Sequence, residues 1–285
     1  MAVADRPLLG LGYALAAGER PLLRLSESTA SESSAIVAEE IPVALVYNGR
    51  SHVVVMATPA DLEDLAIGFS LTEGIIDAPE DVHRLDVVRS SHGVELQLEI
   101  PANRGDALVA RALAARTGCG LCGVETIADA MRLPAVVRHE LRVTPRALWR
   151  AASDLNDQQT LNNATNAVHA AAWARPDGAL AVLREDVGRH NALDKLVGAL
   201  ARERRPTADG FIVVTSRASY EMVQKTASCG VELLAAISRP TGLAIRFAEA
   251  AGVTLVGLLR ASTANVYCGR ERIHPSLSGE HASWE

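Results

Sequence analysis

The chemistry most plainly written in this chain is a pair of cysteines in Thr117-Gly118-Cys119-Gly120-Leu121-Cys122-Gly123. Glycines flank and separate the two thiols. They permit positive φ and remove side-chain bulk, so a large ligand can approach the sulfur. Residues 122–131 read as a helix start, where a cysteine ionises more readily and becomes a better nucleophile. Such a loop can hold zinc, cycle a disulfide or carry a sulfur atom. A structural zinc needs four nitrogen or sulfur ligands. Cys229 and Cys268 are isolated and no histidine pair has finger spacing, so we expect no metal site. A zinc deaminase would add His-x-Glu and a proline before the first cysteine; neither is present. A thioredoxin-like enzyme would place the pair after its first long strand, whereas here it follows a helix expected over 106–116.

Further polar segments stand at strand ends. Arg184-Glu185-Asp186-Val187-Gly188-Arg189-His190-Asn191-Ala192-Leu193-Asp194-Lys195 follows a strand and opens a helix, a place where α/β proteins bind anions. Arg189 and His190 can reach a phosphate, with Glu185 or Asp186 orienting His190. A capped surface helix with an ion-pair network explains this segment equally well. The pattern recurs at Thr215-Ser216-Arg217-Ala218-Ser219, where Ser216, Arg217 and Ser219 suit phosphate contact and Lys225 supplies a second cation. Arg260, Ser262 and Thr263, then Asn265 and Tyr267, read as a facing wall. Cys229, Cys268 and His169 (the last on an expected small-residue helix) read more simply as packing residues.

The elements that must position these groups follow from periodicity. Strands over 41–47 and 52–57 flank Asn48-Gly49, a hairpin signal. Thr58-Pro59 starts a helix to about residue 73, with Thr58 as N-cap. A second strand pair is expected over 82–89 and 94–100, and a helix over 145–157. Strands over 179–183, 211–215, 233–237 and 253–259 then alternate with helices over 188–202, 220–228 and 241–251. That alternation predicts an α/β layer with a mostly parallel sheet. Residues 1–34 read as a variable, mobile lead-in, its 26–34 stretch rich in Ser and Glu. An α+β portion (35–143) ends in the CxxC loop and its helix, and an α/β cofactor-binding core (144–285) follows.

Composition sets outer bounds. The chain has 285 residues, 48% of them hydrophobic and only 4% aromatic, so its core is aliphatic. A net charge of −6 gives no general affinity for nucleic acid. Four cysteines in this length form no disulfide framework, and a CxxC suits a reducing cytoplasm. The apolar run near the N-terminus lacks a positive flank and is broken by Gly10 and Gly12, so we expect no signal peptide. No stretch reaches the length of a membrane span.

Taken in order, several motifs resemble one family. They are Thr58-Pro59, Glu63-Asp64-Leu65-Ala66-Ile67-Gly68-Phe69, the CxxC segment, Val168-His169, the Arg184–Lys195 segment, Glu221-Met222-Val223-Gln224-Lys225 and Asn265-Val266-Tyr267. The chain resembles the FdhD family, sulfurtransferases required for active formate dehydrogenase, over nearly its whole length from about Glu39. The resemblance implies a cytidine-deaminase-like three-layer α/β core without its zinc, a smaller N-terminal α+β portion, and a homodimer. It implies that Cys119 accepts sulfur from a cysteine desulfurase as a persulfide, with Cys122 assisting. The sulfur passes to the molybdenum of a bis(molybdopterin guanine dinucleotide) cofactor, held as substrate and destined for formate dehydrogenase. It maps cofactor contact onto Leu258, Leu259, Arg260, Ala261, Ser262 and Thr263. Asn166-Ala167 stand where family members commonly have Gly-Gly. A non-catalytic cofactor-binding chaperone is the alternative of a different class.

Overall fold

The computed structural model describes residues 11–105, 108, 136–137 and 141–274. The paired cysteines and the helices expected over 106–116 and 122–131 lie outside the described residues. The 26–34 stretch, expected to be mobile, instead enters a hairpin. Strand β1 (Ala17–Leu25) pairs antiparallel with β2 (Ala30–Ala38), from Ala17↔Ala38 to Leu25↔Ala30. Its polar side chains point to a loop, but a backbone ladder to the preceding segment satisfies the main chain whatever those side chains are.

The N-terminal α+β portion holds β3 (Ile41–Tyr47), β4 (Arg50–Ala57), β5 (Arg84–Ser90) and β6 (Gly93–Glu99) in the order β4-β3-β6-β5. Asn48 (φ 49°) and Gly49 (φ 77°) make the expected two-residue turn, since both central positions of that turn need positive φ. Ile41, Val43, Leu45, Leu96 and Leu98 fill one face against α1 (Leu62–Thr72). Thr58 is not the cap of that helix. Asp61, at φ 52°, precedes it, and Thr58 is fully buried in a long-range contact described below.

The core is one six-stranded sheet in the order β12-β11-β10-β9-β7-β8. Its strands are β7 (His169–Ala174), β8 (Leu180–Asp186), β9 (Phe211–Val214), β10 (Leu233–Ala236), β11 (Thr254–Gly257) and β12 (Asn265–Cys268). Period-2 alternation sends Ile212, Val214, Leu234 and Ala236 to one cluster, and Phe211, Val213, Leu233 and Ala235 to another. Helices α4 (Arg189–Arg202), α5 (Tyr220–Ser228) and α6 (Gly242–Ala251) cover the first face. Helix α2 (Pro145–Gln158) covers the second, and a short α3 (Thr160–Thr165) leads into β7. The result is three layers of α/β/α. Only β9–β10 and β10–β11 pair in parallel; β7 runs antiparallel to both neighbours, and β12 antiparallel to β11. The expectation of a mostly parallel sheet is therefore corrected. The turn from Arg175 to Gly178 joins β7 directly to β8, and so short a link cannot hold a parallel crossover.

The two portions meet where α1 crosses α4. A Cβ on Gly68 would lie 1.7 Å from the Asp194 carbonyl oxygen, and one on Gly198 would lie 1.9 Å from that of Asp64. Each helix thus carries a glycine where the other backbone passes.

Candidate functional site

Topology gathers the polar segments at one sheet edge. β8, β9, β10 and β11 all point the same way, because β7 reverses between β8 and β9. Their C-terminal ends, with the start of β7 at His169, form a row: Leu258–Thr263, then 238–241, then 216–219, then His169, then 186–190. The Arg260 segment stands four strand positions from Arg189 in that order, roughly 19 Å at the usual inter-strand spacing. It extends the row rather than facing it as a wall.

A buried carboxylate, Asp186, holds the N-cap amide of α4. Asp186 is fully buried; its Oδ1 accepts from Gly188 N (2.8 Å) and Asn191 Nδ2 (3.0 Å), and its Oδ2 from Thr58 N (3.0 Å). Lys195 Nζ lies 2.6 Å from the same Oδ2 and donates to the Thr58 carbonyl (3.0 Å), while Thr58 Oγ1 accepts from Val187 N (3.1 Å). The amides of Val187 and Gly188 are therefore taken, whereas those of Arg189, His190 and Asn191 in the first turn have no partner among the described residues. Glu185 caps α3 through Leu161 N and Asn162 N (2.9 and 2.8 Å). Neither Glu185 nor Asp186 orients His190. That contact comes from Glu221 of α5, whose Oε2 lies 2.8 Å from His190 Nε2, off the axis of a linear hydrogen bond. Nothing in the local spacing could have shown it, because the two residues meet only through the sheet.

What Arg184–Lys195 leaves for a ligand is Arg189 and His190. Both are partly exposed, and the Nε of Arg189 is buried with no hydrogen-bond partner. His169 is a strand residue, not a helical one; it pairs in register with Asp186. Burial, then the charge of Arg189, pushes its imidazole pKa down against a smaller upward pull from Asp186. The Glu221 carboxyl is held below its ordinary range, chiefly by its close polar contact with His190 and against an opposing effect of burial.

The start of α5 is the open one. Ser219 stands at its N-cap position without a capping bond, and its Oγ is buried and unpartnered. At α6, by contrast, Thr241 caps Ala244 N at 3.2 Å. Ser216 is buried and Arg217 exposed. Lys225, expected as a second cation for the ligand, is not available. Its Nζ donates to Glu73 (2.7 Å), Asp194 (3.0 Å) and Thr72 (2.9 Å), and only 6% of the residue is exposed. Asp194 sits on the buried side of α4 and draws Lys225 inward.

Past β11, Leu258 adopts a left-handed backbone (φ 50°), costly for a branched side chain. Its amide donates to Ser238 O (3.0 Å), and Arg260 N donates to Thr263 O (2.8 Å), closing a turn. Arg260 Nη1 donates to the carbonyls of Ile237 and Leu259, so this guanidinium also pins the turn. Leu259 is buried, while Arg260, Ala261, Ser262 and Thr263 are exposed.

The two described cysteines are poor nucleophiles. Burial pushes the Cys229 thiol up to about 12 and raises that of Cys268. A cleft of about 540 Å³ beside Cys229, lined by Glu73, Gln224 and Ser228, lies away from the row. Among the described residues no three His, Cys, Asp or Glu side chains group as a metal site, and no helix is long and apolar enough to cross a membrane.

Comparison with known proteins accounts for this ordering of motifs. The profile of the FdhD/NarQ family matches residues 38–274. The chain belongs to the FdhD/NarQ family. It is 52% identical over 244 residues to "Sulfur carrier protein FdhD" of Cupriavidus necator, covering 85% of each chain. It is 49% identical over 246 residues to the protein of that name from Bordetella petrii, covering 86% of this chain and 88% of the other. The crystal structure of a candidate formate dehydrogenase accessory protein from Desulfotalea psychrophila superposes with a TM-score of 0.72. It covers 90% of this chain and 99% of that one at 23% identity, which shows the shared fold. The FdhD/NarQ match encloses both Cys119 and Cys122. Asn166 closes α3 at φ 52°, ψ 32°. Asparagine is among the non-glycine residues that enter this region most readily, so the turn before His169 needs no glycine.

Proposed function

We propose that this protein is a sulfur carrier. Cys119 takes sulfur as a persulfide from a cysteine desulfurase and delivers it to the molybdenum of a bis(molybdopterin guanine dinucleotide) cofactor, held as substrate and destined for formate dehydrogenase. The observation that carries this reading is the 52% identity to a protein named sulfur carrier protein FdhD, across the span that includes the CxxC. The depressed nucleophilicity of Cys229 and Cys268 supports it, since they are poor rivals to the CxxC thiols.

In loading, the Cys119 thiolate attacks the outer sulfur of the donor persulfide. The donor S–S bond breaks, its thiolate leaves, and Cys119 holds the new S–S bond. In unloading, the Cys122 thiolate can attack the Cys119 sulfur; a Cys119–Cys122 disulfide forms and hydrosulfide leaves, which balances electrons without an added reductant. The cargo's phosphates fit the row at the sheet edge, where Arg189, His190, Ser216, Arg217, Ser219 and the Leu258–Thr263 turn lie, with unpartnered polar atoms on Arg189 and Ser219. The protein acts as a homodimer in the cytoplasm.

Mass spectrometry after incubation with a cysteine desulfurase and cysteine tests the carrier. One added sulfur, about 32 Da, on Cys119 is the expected outcome. No gain would overturn it and leave a cofactor-holding chaperone. Calorimetry tests the row: GDP should bind more tightly than guanosine and weaken with salt.

A further inference from the structure

Three arginines occupy the same place on three adjacent parallel strands. β9 ends at Val214, β10 at Ala236 and β11 at Gly257, and the third residue beyond each end is Arg217, Arg239 and Arg260. The strands are in register there: Ala236 pairs with Val214, and Ala235 with Val256, which brings Ala236 beside Gly257. The loops stay in step beyond the strands. Ala218 bridges Pro240 in parallel, Thr241 N donates to Ala218 O, and Leu258 N donates to Ser238 O. All three arginines are exposed. Among the described residues, Arg217 and Arg239 have no side-chain partner, and Arg260 uses only Nη1. Exposed cations this close repel one another, and among the described residues Arg239 has no carboxylate to offset that repulsion.

We propose that Arg217, Arg239 and Arg260 form one track for a ligand with linked phosphates, and that Arg239 is its central binding residue. This rests on the reading that the sheet edge takes phosphate groups. Two inter-strand steps separate the outer arginines, roughly 10 Å. A single phosphate is one centre of charge for the row, whereas linked phosphates spread along it, each offering acceptors for paired N–H donors. The net charge of −6 and the shortness of the row select a small polyphosphate over a nucleic acid polymer.

Calorimetry at fixed low salt, with inorganic pyrophosphate and orthophosphate as probes, tests the track. Pyrophosphate should bind the wild-type protein more tightly than orthophosphate. Arg239→Ala should weaken pyrophosphate about tenfold or more, as expected for a lost charge-assisted contact, with unchanged thermal unfolding. Arg239→Lys should recover part of the loss. Arg175→Ala, which removes an equal charge just past the opposite end of β7, controls for net charge and should have little effect. Pyrophosphate binding unchanged by Arg239→Ala, or weakened equally by Arg175→Ala, would overturn the track and leave the phosphate reading standing. Failure of the wild-type protein to bind either probe would remove both.

Discussion

At the residue scale, the proposed carrier role rests on Cys119 and Cys122. Cys119→Ala is expected to abolish activation of a formate dehydrogenase in a complementation assay, and Cys122→Ala to reduce it less, because only the first thiol holds the transferred sulfur. A greater loss from Cys122→Ala would reverse the two roles. His169 carries a pH signature. Its folded imidazole is pushed below the ordinary value, so the folded protein binds its proton less readily than the unfolded chain. The stability contribution is therefore complete above about pH 6.5 and falls as pH drops below it. His169→Gln should flatten that part of a melting-temperature profile while leaving the neutral plateau nearly level. A profile of unchanged slope would show that other groups govern the acid side. Much of the residue scale was legible: the CxxC and the cations Arg189 and Arg217 stand out by type and neighbours. Lys225 misled, because nothing local distinguishes an exposed lysine from one drawn inward by Asp194 of another helix.

At the element scale, the decisive feature is the crossing of α1 on α4. Gly198→Ala would drive a methyl group into the Asp64 carbonyl and force the helices apart. Overpacking of this kind typically costs about 1–3 kcal/mol, and chemical denaturation should show a loss of at least that order. A neutral result would mean that the helices separate freely. Helix and strand positions were largely readable from periodicity, and most observed bounds fall within a few residues of expectation. Strand β7 was not, because the small residues around His169 read as a helix, and neither was strand direction. A run of alternating apolar residues has the same pattern in either sense, so the reversal at β7 appears only when its partners are known.

At the scale of the whole molecule, the ionic cluster of Asp186, Lys195 and Thr58 ties the N-terminal portion to the edge that presents Arg189 and His190. Lys195→Met leaves Asp186 fully buried and without its cation. Loss of one partner of such a pair costs about 3–5 kcal/mol. Asp186→Asn combined with Lys195→Met should recover part of that loss in thermal or denaturant unfolding. A double variant as unstable as the sum of its parts would show that the ion pair itself contributes little. The same reasoning covers Asp194 with Lys225, which ties the end of α1 to α5 through Thr72 and Glu73.

The sequence by itself determined the α/β class, the hairpin at Asn48-Gly49, the spacing of the cysteine pair and the dense polar segment that opens α4. These are local properties of residue type, spacing and backbone preference. Only the tertiary structure decided what that segment does. Glu185, Asp186, Asn191, Asp194 and Lys195 turned out to be buried structural partners, while Arg189 and His190 stayed partly exposed. It also placed Arg217, Arg239 and Arg260 in one row. Charge on a side chain is visible in a sequence, but whether another side chain neutralises it can depend on contacts more than a hundred residues apart, such as that of Lys225 with Glu73.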